Sequence, residues 1–139
     1  METKLFVATK ALIVNKQGKV LILRESNKYV DGTNVAKFDL PGGRMEVGRP
    51  FDECLVREIK EETGLKVKIG QPFYVGEWRP VVRGEQWQIV AIFFKCKTTT
   101  SKVKLSKDHD AFEWINPKDY KKSSLIPNLQ KAFKVYLEK

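Results

Sequence analysis

A chain of 139 residues and 16.0 kDa is long enough for one sizeable core and too short for two, so residues 1–139 are expected to form a single domain. Hydrophobic residues at 42% and charged residues at 31% exclude a disordered or low-complexity chain. The formal charge of +9 predicts attraction to polyanions without deciding between nucleic acid and phosphorylated metabolites.

The apolar run at 5–14 is broken by Thr9 and Lys10 and is too short to span a bilayer, and Met1-Glu2-Thr3-Lys4 lacks the basic start of a signal peptide. A cytoplasmic protein with no membrane partner is the expectation. Cys54 and Cys96 have neither metal-ligand spacing nor a second pair, and their apolar neighbours suit buried free thiols. Residues 5–15 and 19–24 are β-rich runs around Asn15-Lys16-Gln17-Gly18, which reads as a hairpin. The polar stretch 25–37, with Asp31-Gly32, is long for a connection and is a candidate binding loop. A short strand at 38–43 ends in two glycines that let backbone approach a ligand.

From Pro50 to Thr63 the spacing is helical, with Pro50 suited to the first helical position, Asp52 and Glu53 near the N-terminal end of the dipole, and Gly64 as the stop. Strands are predicted at 65–69, 73–78, 87–96 and 111–115, the third buried on both faces because its apolar run is unbroken. A helical turn near 118–121 and an amphipathic helix from Pro127, with Leu129, Phe133 and Leu137 on one stripe, complete the chain. Strands interleaved with helices predict an α/β sandwich with a mixed sheet.

The helix at 50–63 carries the chemistry. At about 100° per residue from Phe51, Leu55 and Ile59 fall near +40° and +80° and define the core side. Glu58 and Glu62 fall at roughly −20° and +20°, inside that apolar stripe, while Glu61 lies near −80°. Inward like charges near the C-terminal end of a helix are unfavourable without a counterion. An all-oxygen set of this kind suits Mg2+ or Mn2+ over zinc.

Gly43, five residues, Arg49, seven residues, and then Arg57-Glu58-Ile59-Lys60-Glu61-Glu62-Thr63-Gly64-Leu65 resembles the box of the Nudix (MutT-like) hydrolases: G, five, E, seven, R-E-U-x-E-E-x-G-U. Eight of its nine specified positions match, the exception being Arg49 in place of Glu. The resemblance implies an α/β/α sandwich and Mg2+-dependent hydrolysis of a pyrophosphate bond in a nucleotide-like substrate, with Mn2+ able to substitute. It implies that Glu58, Glu61 and Glu62 bind the metal, that Arg57 orients Glu58, and that Gly43 lets the loop close over the site. Asp108 is similar in placement to an acid that completes the metal shell or activates water, with His109, Asp110 and Glu113 as neighbouring alternatives. Arg49, at the start of the helix, either weakens activity or adds a phosphate contact.

Substrate signals are sparser. Tyr29, Phe38, Trp78 and Trp87 are candidates to stack a base, each with an ordinary reading as a core or sheet aromatic. Asn128, before the last helix, is a candidate for a base edge or for a cap. Lys95, Lys97, Lys102, Lys104 and Lys107 suit steering of polyphosphate or RNA, against the default of a solvated β-ribbon. A homodimer is compatible with the resemblance. The competing reading is a nucleotide- or RNA-binding module on the same fold without turnover.

Overall fold

Apolar side chains repeat on both faces of the long strands, so the sheet they form must be covered twice. A computed structural model describes residues 2–28 and 34–138; Tyr29 and Asp31-Gly32 of the expected binding loop lie outside them. The elements in order are β1 (Thr3–Val14), β2 (Val20–Glu25), β3 (Phe38–Asp39), β4 (Gly42–Arg44), α1 (Phe51–Thr63), β5 (Lys68–Trp78), β6 (Val81–Val82), β7 (Glu85–Lys97), β8 (His109–Ile115), a 3-10 helix (Pro117–Lys122) and α2 (Pro127–Leu137). The sheet runs β3-β2-β1-β7-β5, with β4 on β1, β6 on β7 and β8 on β2. It is mixed: β1 and β7 run parallel from Thr3↔Gln86 to Val14↔Lys97, whereas the other ladders are antiparallel.

Side-chain alternation sorts the core into two layers. Ala8 and Leu12 of β1, Ile22 of β2 and Ala91 and Phe93 of β7 pack with Leu129 and Phe133 of α2. Ala11 and Ile13, Leu21 and Leu23, and Phe94 and Cys96 pack with Leu55 and Ile59 of α1. The result is the expected α/β/α sandwich; β7 is buried on its α2 face at Trp87, Ile89, Ala91 and Phe93, whereas on the other face, expected to be buried as well, Val90 and Ile92 are half-buried and only Phe94 and Cys96 are covered. Both thiols are buried, and burial pushes that of Cys96 up to about 12. No helix among the described residues is long and apolar enough to cross a membrane.

Several expectations are corrected. The β1–β2 hairpin is closed at its base by Asn15, whose side chain accepts from Gln17 and Lys19 N–H at 3.0 Å, but the two strands pair at Val14↔Val20 and then diverge. That divergence opens the edge of β1 at Ala8, Thr9 and Lys10 to β4. The expected strand at 38–43 is two strands, joined by Leu40-Pro41 as the chain passes from β2 to β1. Gly70-Gln71-Pro72 does not end a strand: β5 runs through it with register shifts, which an edge position tolerates because a proline there leaves no ladder donor missing in the sheet interior. Pro50 is the N-cap of α1, one residue before the helix, and Gly64 ends it with φ 74° as expected. On α2, Ala132 joins Leu129 and Phe133 on the buried side, whereas Leu137 is exposed.

Candidate active site

The inward acids of α1 stand against β4. Glu62 is 8% exposed beside fully buried Ile59; the side chains of Glu58 and Glu61 are 26% and 61% exposed, the order that the helical wheel predicts. Gly43 lets β4 come this close to the helix, and Gly42 lets β4 lie against the backbone of β1. A Cβ on Gly43 would stand 3.2 Å from Oε2 of Glu58, and one on Gly42 would stand 2.0 Å from the Thr9 carbonyl oxygen. Gly42 N–H donates to Glu62 Oε1 at 3.1 Å.

Burial dominates the electrostatics of Glu62. Its carboxyl is pushed up to about 8, although nearby Lys10 and the Gly42 N–H pull the other way. Glu62 Oε2 lies 3.6 Å from His109 Nδ1, too far for a hydrogen bond, and that nitrogen is buried with no partner among the described residues. Burial, and then Lys10, push the imidazole below its usual range. Glu58 is also raised, first by burial and next by Glu61. The cleft therefore presses two carboxyls toward their neutral form and leaves a buried imidazole nitrogen unsatisfied, an arrangement that a bound cation relieves.

Arg57 Nη2 bonds Glu46 Oε1 at 2.6 Å and lies 3.5 Å from Glu58 Oε1, with Nε 3.6 Å from Glu61 Oε1. Its contact with Glu46 holds that carboxyl below its usual range. Lys10 donates to Asp39 Oδ2 at 2.9 Å, a pair with side chains 13% and 20% exposed. Among the described residues no three histidine, cysteine, aspartate or glutamate side chains converge on one point; Glu58 and Glu61 lean on Arg57 while Glu62 is held by Gly42. The donors nevertheless fit a hard divalent cation: carboxylates on one wall, two of them raised by burial.

These groups line a cleft of about 520 Å³ that holds Glu58, Glu61, Glu62, Asp108 and His109 together with Lys10, Asp39 and Gly43. Its other walls carry Phe6, Trp78, Pro80, Val82, Trp87 and Ile89, and the Arg44 guanidinium lies 4.5 Å from the Phe6 ring centroid and 4.6 Å from that of Trp87. An acidic end beside an apolar, aromatic one suits a ligand with a charged and a flat part. Trp78 is half-buried in this wall, whereas Trp87 is largely buried under Phe6 and Arg44.

Other expected site residues fall elsewhere. Phe38 is buried in the α2-side core, because its strand pairs with β2 and with Leu125. Asn128, in the first turn of α2 and not before the helix, donates to the Glu77 carbonyl at 3.3 Å, packs over Gly76 and is not among the residues that line the cleft. Asp110 pairs with Arg24 at 2.7 Å, Glu113 is exposed on β8, and Arg49 is exposed with Nε 3.7 Å from Glu46 Oε2. The sequence reading missed Lys10, Asp39 and Glu46. Lys10 left a signal, a lone cation inside an apolar strand; Glu46 left none, since its partner is eleven residues away.

The Nudix domain profile matches residues 4–136, and the chain belongs to the Nudix family. It is 31% identical over 104 residues to an ADP-ribose pyrophosphatase of Methanocaldococcus jannaschii, covering 75% of this chain and 58% of that protein. It is 35% identical over 101 residues to an 8-oxo-dGDP phosphatase of Mus musculus, covering 73% of this chain and 28% of that one. The chain thus spans a little over half of the first relative and less than a third of the second. A MutT protein of Methanosarcina mazei superimposes with a TM-score of 0.81 at 28% identity, over 96% of this chain and 94% of that one.

Proposed function

We propose that this chain hydrolyses a pyrophosphate bond in a nucleoside diphosphate-type substrate, either a nucleoside di- or triphosphate or a nucleoside diphosphate linked to another group, using Mg2+ with Mn2+ as a substitute. The reading is carried by one observation, the inward Glu62 and Glu58 whose carboxyls burial raises at the acidic end of the cleft. Glu58 and Glu62 hold the cation, with Glu61 as a further ligand. When bound, the cation neutralises phosphate oxygens and acidifies water. Arg57 orients Glu58. A carboxylate oxygen of Glu61 or of Asp108 accepts the proton of the attacking water. Trp78 is the aromatic best placed to receive a base.

The two relatives named above support a substrate carrying a nucleoside and a diphosphate, and a cytoplasmic role in clearing damaged nucleotides accords with that class. The test is release of nucleoside monophosphate from a panel of nucleotides, with ribose 5-phosphate from ADP-ribose, phosphate from 8-oxo-dGDP or pyrophosphate from 8-oxo-dGTP as the second product, with Mg2+, with Mn2+ and with chelator. Metal-dependent turnover of one class is expected. Tight binding with no turnover across the panel would favour the binding-module reading instead.

A further inference from the structure

We propose that Glu46 is the positioning residue for Arg57, supplying from three residues upstream the carboxylate that the family pattern has at position 49. Arg49 N–H donates to the Glu46 carbonyl at 3.2 Å, closing a turn that brings side chains 46 and 49 together, with Arg49 Nε 3.7 Å from Glu46 Oε2. The other Glu46 oxygen makes the only one of the three Arg57–carboxylate contacts within hydrogen-bond length, 2.6 Å against 3.5 Å to Glu58 and 3.6 Å to Glu61. Where the pattern has an acid at 49 and specifies nothing at 46, this chain has the acid at 46, which holds Arg57, and a base at 49, which stands beside that acid. Held in this way, the rigid guanidinium fork stays 3.5 Å from Glu58, close enough to orient it by charge without closing on the oxygens a cation needs. Without Glu46 it closes onto Glu58 or Glu61 and competes for the same oxygens.

The kinetic consequence rests on the proposed hydrolase activity; the contact itself does not. In Glu46→Gln, kcat is expected to fall about tenfold, the usual scale for a group that orients a ligand, with KM little changed. Mn2+ affinity, read by electron paramagnetic resonance without substrate, weakens by a similar factor, the Arg57 Nε–H resonance shifts, and the melting temperature does not move. Adding Arg49→Glu to Glu46→Gln restores most of the loss. Wild-type kcat, Mn2+ affinity and Arg57 resonance in Glu46→Gln would overturn the proposal, as would a double variant no better than the single one. If wild type turns over nothing while Mn2+ affinity and the resonance still respond to Glu46, the hydrolase reading fails and the positioning role stands.

A second inference comes from the opposite end of the sheet. Residues 3–24, 63–76 and 86–107 contain no Asp or Glu, and the fold gathers the far ends of these stretches. Val20, Val14, Lys97 and Lys68 form one register row across β2, β1, β7 and β5. The Asn15 side chain donates to Ser101 Oγ at 2.9 Å, and Thr98 Oγ1 donates to the Lys66 carbonyl at 3.1 Å. Lys16, Lys19, Lys66, Lys68, Lys97 and Lys102 are exposed here, and none takes part in an ion pair among the described residues. Lys95 differs, lying over the Tyr136 ring.

We infer that this end binds the phosphate backbone of nucleic acid. None of the exposed large apolar side chains lies at 15–19, 66–68 or 97–102, so the surface offers neither an anchor for a bilayer nor the apolar centre of a protein interface. Unpaired lysines over a row about 15 Å wide match a ligand recognised by charge alone. The probe is a fluorescein-labelled single-stranded RNA, with DNA of the same sequence beside it, followed by anisotropy from about 50 to 200 mM salt. Expected are binding that weakens steeply with salt, a loss of about tenfold or more in Lys66→Glu/Lys68→Glu/Lys97→Glu and in the milder Lys16→Gln/Lys19→Gln, and unchanged hydrolysis of small nucleotides. No wild-type binding at low salt, undiminished binding by both folded variants, or binding to anionic vesicles in place of either nucleic acid would overturn it.

Discussion

Glu62→Gln is expected to lower turnover by about 100-fold or more, the scale seen when one electrostatic group is removed from a catalytic centre, while leaving the metal-free protein folded. Gln keeps an oxygen for the Gly42 N–H but loses the charge that holds a cation. The same substitution has a pH signature. A carboxyl raised by burial from an ordinary 4.5 to about 8 favours the folded state only while protonated. Its contribution is intact below about 4.5 and is lost as pH climbs through about 8. The melting temperature of metal-free wild type should therefore fall relative to Glu62→Gln across that window, and a divalent cation should reverse the fall. His109, with its neutral form favoured by burial, acts in the opposite direction in both proteins and largely cancels in the difference. Equal pH slopes for wild type and variant, measured by calorimetry with chelator present, would contradict this account of Glu62.

Gly42→Ala carries the second large effect, and here stability falls first. Gly42 has φ 142°, a conformation that side chains rarely adopt, and the added methyl would stand 2.0 Å from the Thr9 oxygen and 2.9 Å from Lys10 Cα. Both obstacles are backbone of β1, fixed between β4 and β7, so relief requires β4 to leave its ladder. That movement also withdraws the N–H that holds Glu62. A loss of about 3 kcal/mol, or roughly 10 °C in melting temperature, is expected, with weakened metal binding even below the transition. A variant that melts with wild type would show that β4 is free to shift, and the close approach of β4 to β1 would then not be needed to place Glu62.

The helix with its acids was legible in the sequence because a single element carries the whole pattern: the wheel placed Glu58 and Glu62 inward and Glu61 off the stripe, and the structure buries Glu62, half-buries Glu58 and exposes Glu61. The central strand β7 was legible for the same local reason, although Val90 and Ile92 on one face are only half-buried. What could not be read depends on contacts between elements. Lys10 meets Asp39 only because β1 and β2 diverge and the chain crosses between them at Leu40-Pro41. Phe38 was a candidate to stack a base with a core reading beside it, and a two-residue strand turns it toward Leu125 and the α2 layer. Glu46 sits in a loop whose turn geometry, not its composition, delivers it to Arg57.

The most direct test of the central claim is turnover of the best panel substrate by chelator-stripped protein as Mg2+ is restored, in wild type and in Glu58→Gln and Glu62→Gln. No turnover without metal, saturable recovery in wild type and little recovery in either variant are predicted. Turnover that survives the chelator, or that returns fully in both variants, would contradict a cation held by these carboxylates.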